Sequence, residues 1–108
     1  MKAIREVRRA DVVVTNPTHY AVAIRYRPNE APAPIVLCKG VDHLAMKIKA
    51  EARAHDVPTI ENRPLARALY ATAKIGDMIP EDLYGAVAQV IAVIMNRRAQ
   101  RNQPQVNL

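Results

Sequence analysis

The chain has 108 residues, half of them hydrophobic, enough for one domain with a single modest core. It holds no Trp, no Phe and one Cys, so an intrachain disulfide is excluded and the core must be built from Val, Ile, Leu, Ala, Met and a few Tyr. Sixteen Lys and Arg against ten Asp and Glu give a net charge of +6, which suits nucleic acid, an anionic membrane surface or an acidic partner without choosing among them.

Residues 1–10 carry Lys2, Arg5, Arg8 and Arg9 among Ala and Val and read as a basic linker, helical or extended. They lack the apolar segment of a secretory leader. Residues 11–15 are a β-branched strand. Residues 20–26 are a second, with Val22, Ile24 and Tyr26 on one face and Ala21, Ala23 and Arg25 on the other. Pro28, Pro32 and Pro34 make residues 27–34 an irregular connection. Four apolar residues in a row predict a third strand at 35–39, buried on both faces and central in the sheet. Cys38 within it reads as a buried, inert thiol.

A helix is expected over 42–55, capped by Asp42, with Val41, Leu44, Ala45, Ile48 and Ala52 inward and Lys47, Lys49, Glu51 and Arg53 outward. His43 and His55 lie too far apart, with no Cys or carboxylate cluster beside them, to suggest a metal site. A short strand at 59–61 follows, and strand, helix, strand predicts a parallel crossover. Pro64 opens a second helix to about residue 74, with Leu65, Ala68, Leu69 and Thr72 inward and Gly76 as its stop.

A third helix starts at Pro80 and ends near Arg97 and Arg98. Leu83, Val87, Val90 and Ile94 form its core stripe, and Tyr84, Ala88, Ile91 and Met95 form a second one, either sandwiched in the domain or open as a groove for a peptide. Its apolar stretch is too short to span a bilayer, and residues 97–108 read as a flexible tail. The expected fold is α/β (α+β), a small central four-stranded mixed sheet surrounded by three to four helices, in a domain at 11–96. On these features the chain reads as a soluble intracellular domain.

The stretch that carries chemistry is Thr15-Asn16-Pro17-Thr18-His19, a tight loop between the first two strands. Proline has no N–H, so the usual attack of a following backbone nitrogen on the Asn side chain is closed. One intramolecular route remains. The Asn16 side-chain nitrogen can attack the Asn16 backbone carbonyl, close a succinimide and expel Pro17 as a new N-terminus. A fold that holds the reacting groups together can remove roughly 7 to 11 kcal/mol of barrier at best. His19 is placed to move a proton, and Thr15 and Thr18 to hold the loop or stabilise an oxyanion. On the residues alone an ordinary turn is the favoured reading.

The run VVVTNPTHYAVAI at 12–24 resembles the self-cleaving loop of the FlhB/YscU family, the export-gate switch proteins of bacterial type III secretion systems. Further matches are Lys39-Gly40, VPTIENRPLARALY at 57–70 and IPEDLYGAVAQVIA at 79–92, in family order and covering residues 11–95. The resemblance implies the cytoplasmic C-terminal part of an inner-membrane export component, at the cytoplasmic face of that membrane, excised from or lacking the membrane domain of full-length relatives. It implies one cleavage, between Asn16 and Pro17, after which the pieces stay together and export switches from rod and hook substrates to filament substrates. Thr18 and His19 complete the implied cleavage site, and Ala33, Pro34, Ala88 and Ile91 the implied substrate-docking patch. Implied partners are other export-gate components, export substrates and a hook- or needle-length ruler protein.

Thr15, Tyr20 and Lys74-Ile75-Gly76 resemble the flagellar branch more than the virulence injectisome branch. No cofactor, no metal and no multiple-turnover enzyme is expected; the one chemical act is single-turnover. Two other readings are a docking module that does not cleave and a small basic nucleic-acid binder. Few aromatics and no basic recognition helix speak against nucleic acid as a partner.

Overall fold

Val-Ala alternation builds the middle of the sheet in the computed structural model, which describes residues 2–102. Strand β1 (Val12–Asn16) pairs antiparallel with β2 (Tyr20–Arg25), which pairs antiparallel with β3 (Ile35–Val41). Strand β4 (Thr59–Glu61) adds to the other side of β1 in parallel, giving the order β3-β2-β1-β4. β3 and β4 therefore run in the same direction, and helix α2 (Asp42–Ala54) crosses between them past the two central strands. Helix α3 (Arg63–Thr72), a 3-10 turn at Glu81–Leu83 and helix α4 (Tyr84–Asn102) complete the chain. Among the described residues no helix is long and apolar enough to cross a membrane.

Each sheet face has its own core. Val12, Val14, Val22, Ile24 and Val36 pack against Leu65 and Leu69 of α3 and Val87 and Ile94 of α4. Val13, Ala21, Ala23 and Cys38 pack against Ala45, Ile48 and Ala52 of α2. Small residues on that second face let α2 lie close, and Gly40 is required there because a Cβ would come within 2.6 Å of the Leu44 side chain. Burial pushes the Cys38 thiol up, which keeps it protonated and inert.

Several boundaries differ from the sequence reading, each for a local reason. Residues 1–10 are not a bare linker: α1 (Lys2–Arg5) and a 3-10 turn at Glu6–Arg9 bury Val7 completely in the α2-side core. β3 is an edge strand, not a central one. A register shift opposite Ala23 and Ile24 inserts Leu37, so Val36 faces one core and Cys38 the other, which accounts for the unbroken apolar run. Its outer edge is covered by residues 76–79, where Gly76 donates to Val36, Val36 to Asp77 and Ile79 to Pro34.

Asp42 does not cap α2. Its backbone is left-handed, with φ of 50°, its side chain makes no capping bond, and Val41 beside it is exposed. Asn62 does cap α3, accepting from the Leu65 N–H at 3.2 Å. That helix stops at Thr72, which is exposed, while Ala66 and Ala73 are buried in its place. Lys39 closes its end by donating to the Tyr70 and Ala73 carbonyls at 2.9 and 2.7 Å. Gly76 instead serves the following turn, with φ of 89°. α4 runs on through residues 97–102, expected as tail; the rest of that tail, 103–108, lies outside the described residues.

Candidate functional site

The Asn16-Pro17-Thr18-His19 loop is the tip of the β1-β2 hairpin, closed by pairing of Asn16 with Tyr20. Pro17 occupies the second position of the turn, which its fixed φ favours, and the His19 N–H donates back to the Asn16 carbonyl at 3.0 Å. That carbonyl carbon is the one a self-cleaving Asn would attack. A backbone N–H already on its oxygen is the element an oxyanion needs. Among the described residues no hydrogen bond holds the Asn16 side-chain amide, so its nitrogen is not sequestered.

The neighbouring carbonyls tie the loop to three other elements. Thr15 accepts from the Asn62 N–H at 2.9 Å, Pro17 from Lys49 Nζ at 3.0 Å and His19 from the Asp42 N–H at 2.8 Å. Asn62 precedes α3, while Asp42 and Lys49 lie seven residues apart on α2, two turns along one face. The loop is thus gripped from α2 on one side and from the start of α3 on the other. Tyr20, where the chain leaves the loop, packs its ring 5.0 Å from that of Tyr70 on α3.

Among the side chains, Asn16 and Pro17 are half-buried, and Thr18 and His19 are exposed. His19 Nδ1 lies 3.5 Å from the Asp42 carboxylate, with both side chains exposed. Thr15 turns its hydroxyl to the Ile60 carbonyl at 3.4 Å, away from the Asn16 carbonyl, so its grip is on β4. The Thr18 side chain makes none of the loop's hydrogen bonds among the described residues. Sequence reasoning missed Asp42, taken for a helix cap, and Lys49, taken for a solvated face. Their seven-residue spacing shows that they share a face, yet only the packing of α2 against the hairpin shows what that face meets.

Ala33, Pro34, Ala88 and Ile91 come together in a second place, an apolar groove of about 310 Å³ between α4 and the proline-rich connection. Ala33 and Ile91 are buried in its floor, and Tyr26, Tyr84 and Met95 form its rim. The second stripe of α4 is therefore open as a groove and not sandwiched. The connection is held by Arg25, whose guanidinium donates to both Glu30 carboxylate oxygens at 2.6 and 3.1 Å. Those hydrogen bonds keep the Glu30 carboxyl below the usual range and raise Arg25.

Comparison with known proteins fits this geometry. The model of the FlhB HrpN YscU SpaS family matches residues 1–94. The chain is 47% identical over 93 residues to a flagellar biosynthetic protein FlhB of Bacillus subtilis, covering 86% of this chain and 26% of that protein. It is 47% identical over 100 residues to the protein of the same name from Salmonella typhimurium, covering 93% and 26%. The chain thus spans about a quarter of the length of these curated relatives.

Among solved structures, the cytoplasmic domain of FlhB from Shewanella putrefaciens superposes with a TM-score of 0.87 at 42% identity, covering 96% of this chain and 83% of that one. A mutated EscU C-terminal domain gives 0.81 at 37%, covering 85% and 98%. A family match across most of the chain, with close agreement of both sequence and fold, leaves one conclusion: this chain belongs to the FlhB HrpN YscU SpaS family.

Proposed function

We propose that this domain cuts its own chain once, between Asn16 and Pro17, and thereby changes the surface that a type III protein-export gate offers to its substrates. The Asn16 side-chain nitrogen adds to the Asn16 carbonyl carbon and gives up a proton, with His19 as the group that accepts it. Negative charge gathers on the carbonyl oxygen, where the His19 N–H already donates. The intermediate collapses as the C–N bond to Pro17 breaks, the proline nitrogen takes up a proton, and a succinimide remains at residue 16 for water to open. Each molecule reacts once, so the domain is not a turnover enzyme.

The observation that carries this reading is the four-point grip on the loop, the carbonyls of residues 15, 16, 17 and 19 all accepting hydrogen bonds. Such a grip lowers the entropic cost of reaching the attack geometry, which an isolated Asn-Pro peptide must meet unaided. His19, the proton carrier in this reading, has the Asp42 carboxylate 3.5 Å away, and Thr18 stands exposed beside it at the tip.

The machine served is a flagellar one, a reading supported by the names of the relatives at 47% identity and, among solved structures, by 42% for the FlhB domain against 32 to 40% for EscU domains. In that setting the domain sits on the cytoplasmic face of the bacterial inner membrane, and cutting switches export from rod and hook proteins to filament proteins. Its partners are other gate components, the substrates and a length ruler. The groove at Ala33, Pro34, Ala88 and Ile91 takes an apolar segment of a substrate.

An intact-mass measurement of the purified, denatured chain beside Asn16→Ala tests the chemistry. Fragments ending at Asn16 and starting at Pro17 are expected in the wild type alone. A single unbroken mass after long incubation at neutral pH would overturn self-cleavage and leave a docking domain.

A further inference from the structure

A concavity of about 630 Å³ lies away from the apolar groove, between the end of α2, the start of β4 and the last turns of α4. Its walls carry Lys49 and Arg53 from α2 and Arg97, Arg98 and Arg101 from α4, against a single carboxylate, Asp56. Arg98 lies 3.8 Å from the Asp11 carboxylate, which Arg27 already engages at 3.0 Å. Among the described residues the other four cations have no carboxylate within ion-pair distance. Helix dipoles account for Arg53 and Arg101, each in the last turn of its helix, because that effect fades within a turn. They leave Arg97 and Arg98, and Lys49, whose Nζ also donates to the Pro17 carbonyl at 3.0 Å, adds like charge to the same hollow.

We infer that this cleft is a docking site for an extended, acidic peptide segment of a protein partner. Charge complementarity sets the acidity, since arginines on opposite walls suit carboxylates held bidentately. An extended backbone is indicated by β4, an edge strand of the sheet, where Thr59 and Glu61 are exposed and, among the described residues, no further strand pairs. Only a polypeptide adds to such an edge by main-chain hydrogen bonds. Val57, Pro58 and Ile94 give the cleft an apolar floor that accepts the alternate side chains of a strand. A planar bilayer does not enter a recess of this shape, and without an aromatic side chain in its lining the cleft offers nucleic-acid bases no stacking platform. The site shares no residue with the apolar groove, while its Lys49 also reaches the Asn16-Pro17 loop.

Fluorescence anisotropy with a short labelled peptide of alternating Glu and Val tests the inference, beside the same peptide with Gln for Glu. The acidic peptide is expected to bind the chain, to weaken as salt rises, and to lose about tenfold or more in affinity to Arg97→Glu/Arg101→Glu as charge-assisted contacts become repulsive. Arg53→Gln, a milder change on the opposite wall, should weaken it severalfold, and thermal melting checks that each variant is folded. Lys74→Gln, which removes an exposed cation outside the cleft, should leave it unchanged. Equal binding of the Glu and Gln peptides, or equal binding by wild type and the folded cleft variants, would overturn the inference. So would tighter binding of phosphatidylglycerol vesicles or of a single-stranded oligonucleotide than of the acidic peptide.

Discussion

Asp11 is 7% exposed, yet its carboxylate is well used: it accepts from the Tyr26 N–H at 2.8 Å and from Arg27 Nε and Nη2 at 3.3 and 3.0 Å. These bonds fasten the open end of the hairpin whose tip is the Asn16-Pro17 loop. Asp11→Ala should therefore lower stability by about 2 to 3 kcal/mol, since it orphans a partly buried N–H and removes charge-assisted bonds. Arg27→Ala, which loses a partner that is 46% exposed, should cost about 1 kcal/mol or less. Urea denaturation of both variants checks the order; equal losses would mean that the carboxylate acts through Arg27 alone. At this scale the sequence was legible where chemistry is local. Asn-Pro with a nearby His marks a turn by its local chemistry, and the Asn16, Pro17 and His19 backbones do meet in one turn. Asp42 and Lys49 were not legible, because their part in the loop comes from residues more than 20 positions away brought close by packing.

At the scale of elements, β-branched and apolar runs, with alternation in β2, identified the four strands, and apolar spacing the three longer helices, because these patterns report buried faces directly. What it could not give was neighbourhood. The apolar run of β3 signalled burial on both faces, and Val36 and Cys38 are indeed buried on opposite ones, but through a bulge and on an edge strand covered by residues 76–79. No periodicity encodes that irregular cover. Val7 was missed likewise, as Ile4 and Val7 among arginines make too short a run to show a period. Gly40 makes the contact between β3 and α2 testable: a methyl group would press on Leu44 Cβ and Cγ at 2.9 and 2.6 Å, too near the backbone for a simple side-chain swing. Gly40→Ala should destabilise by about 1 to 3 kcal/mol. Because α2 carries Asp42 and Lys49, it should also slow fragment formation followed by mass over time. A variant as stable and as fast as wild type would show that α2 can retreat without cost.

Across the whole molecule the position of β1 decides what a cut would mean. β1 pairs with β2 through five residues and with β4 through three, and its preceding segment plugs Val7 into the α2-side core. A break after Asn16 would leave the first sixteen residues bound on both sides of the sheet, so the product should hold together in native solution. Its thermal melting should then depend on protein concentration, as dissociation couples to unfolding, whereas Asn16→Ala should melt at one temperature at every concentration. Identical, concentration-independent melting of the two would mean that the chain had not been cut or that the piece cannot leave. The central place of β1 has one more consequence. A molecule stripped of it would carry a slot rather than a frayed edge, with β2 and β4 both presenting unpaired backbone at the spacing of a single missing strand. Such a species is a strand acceptor, and a synthetic peptide of residues 1–16 should fill it and restore the native fold, whereas a shuffled peptide should not.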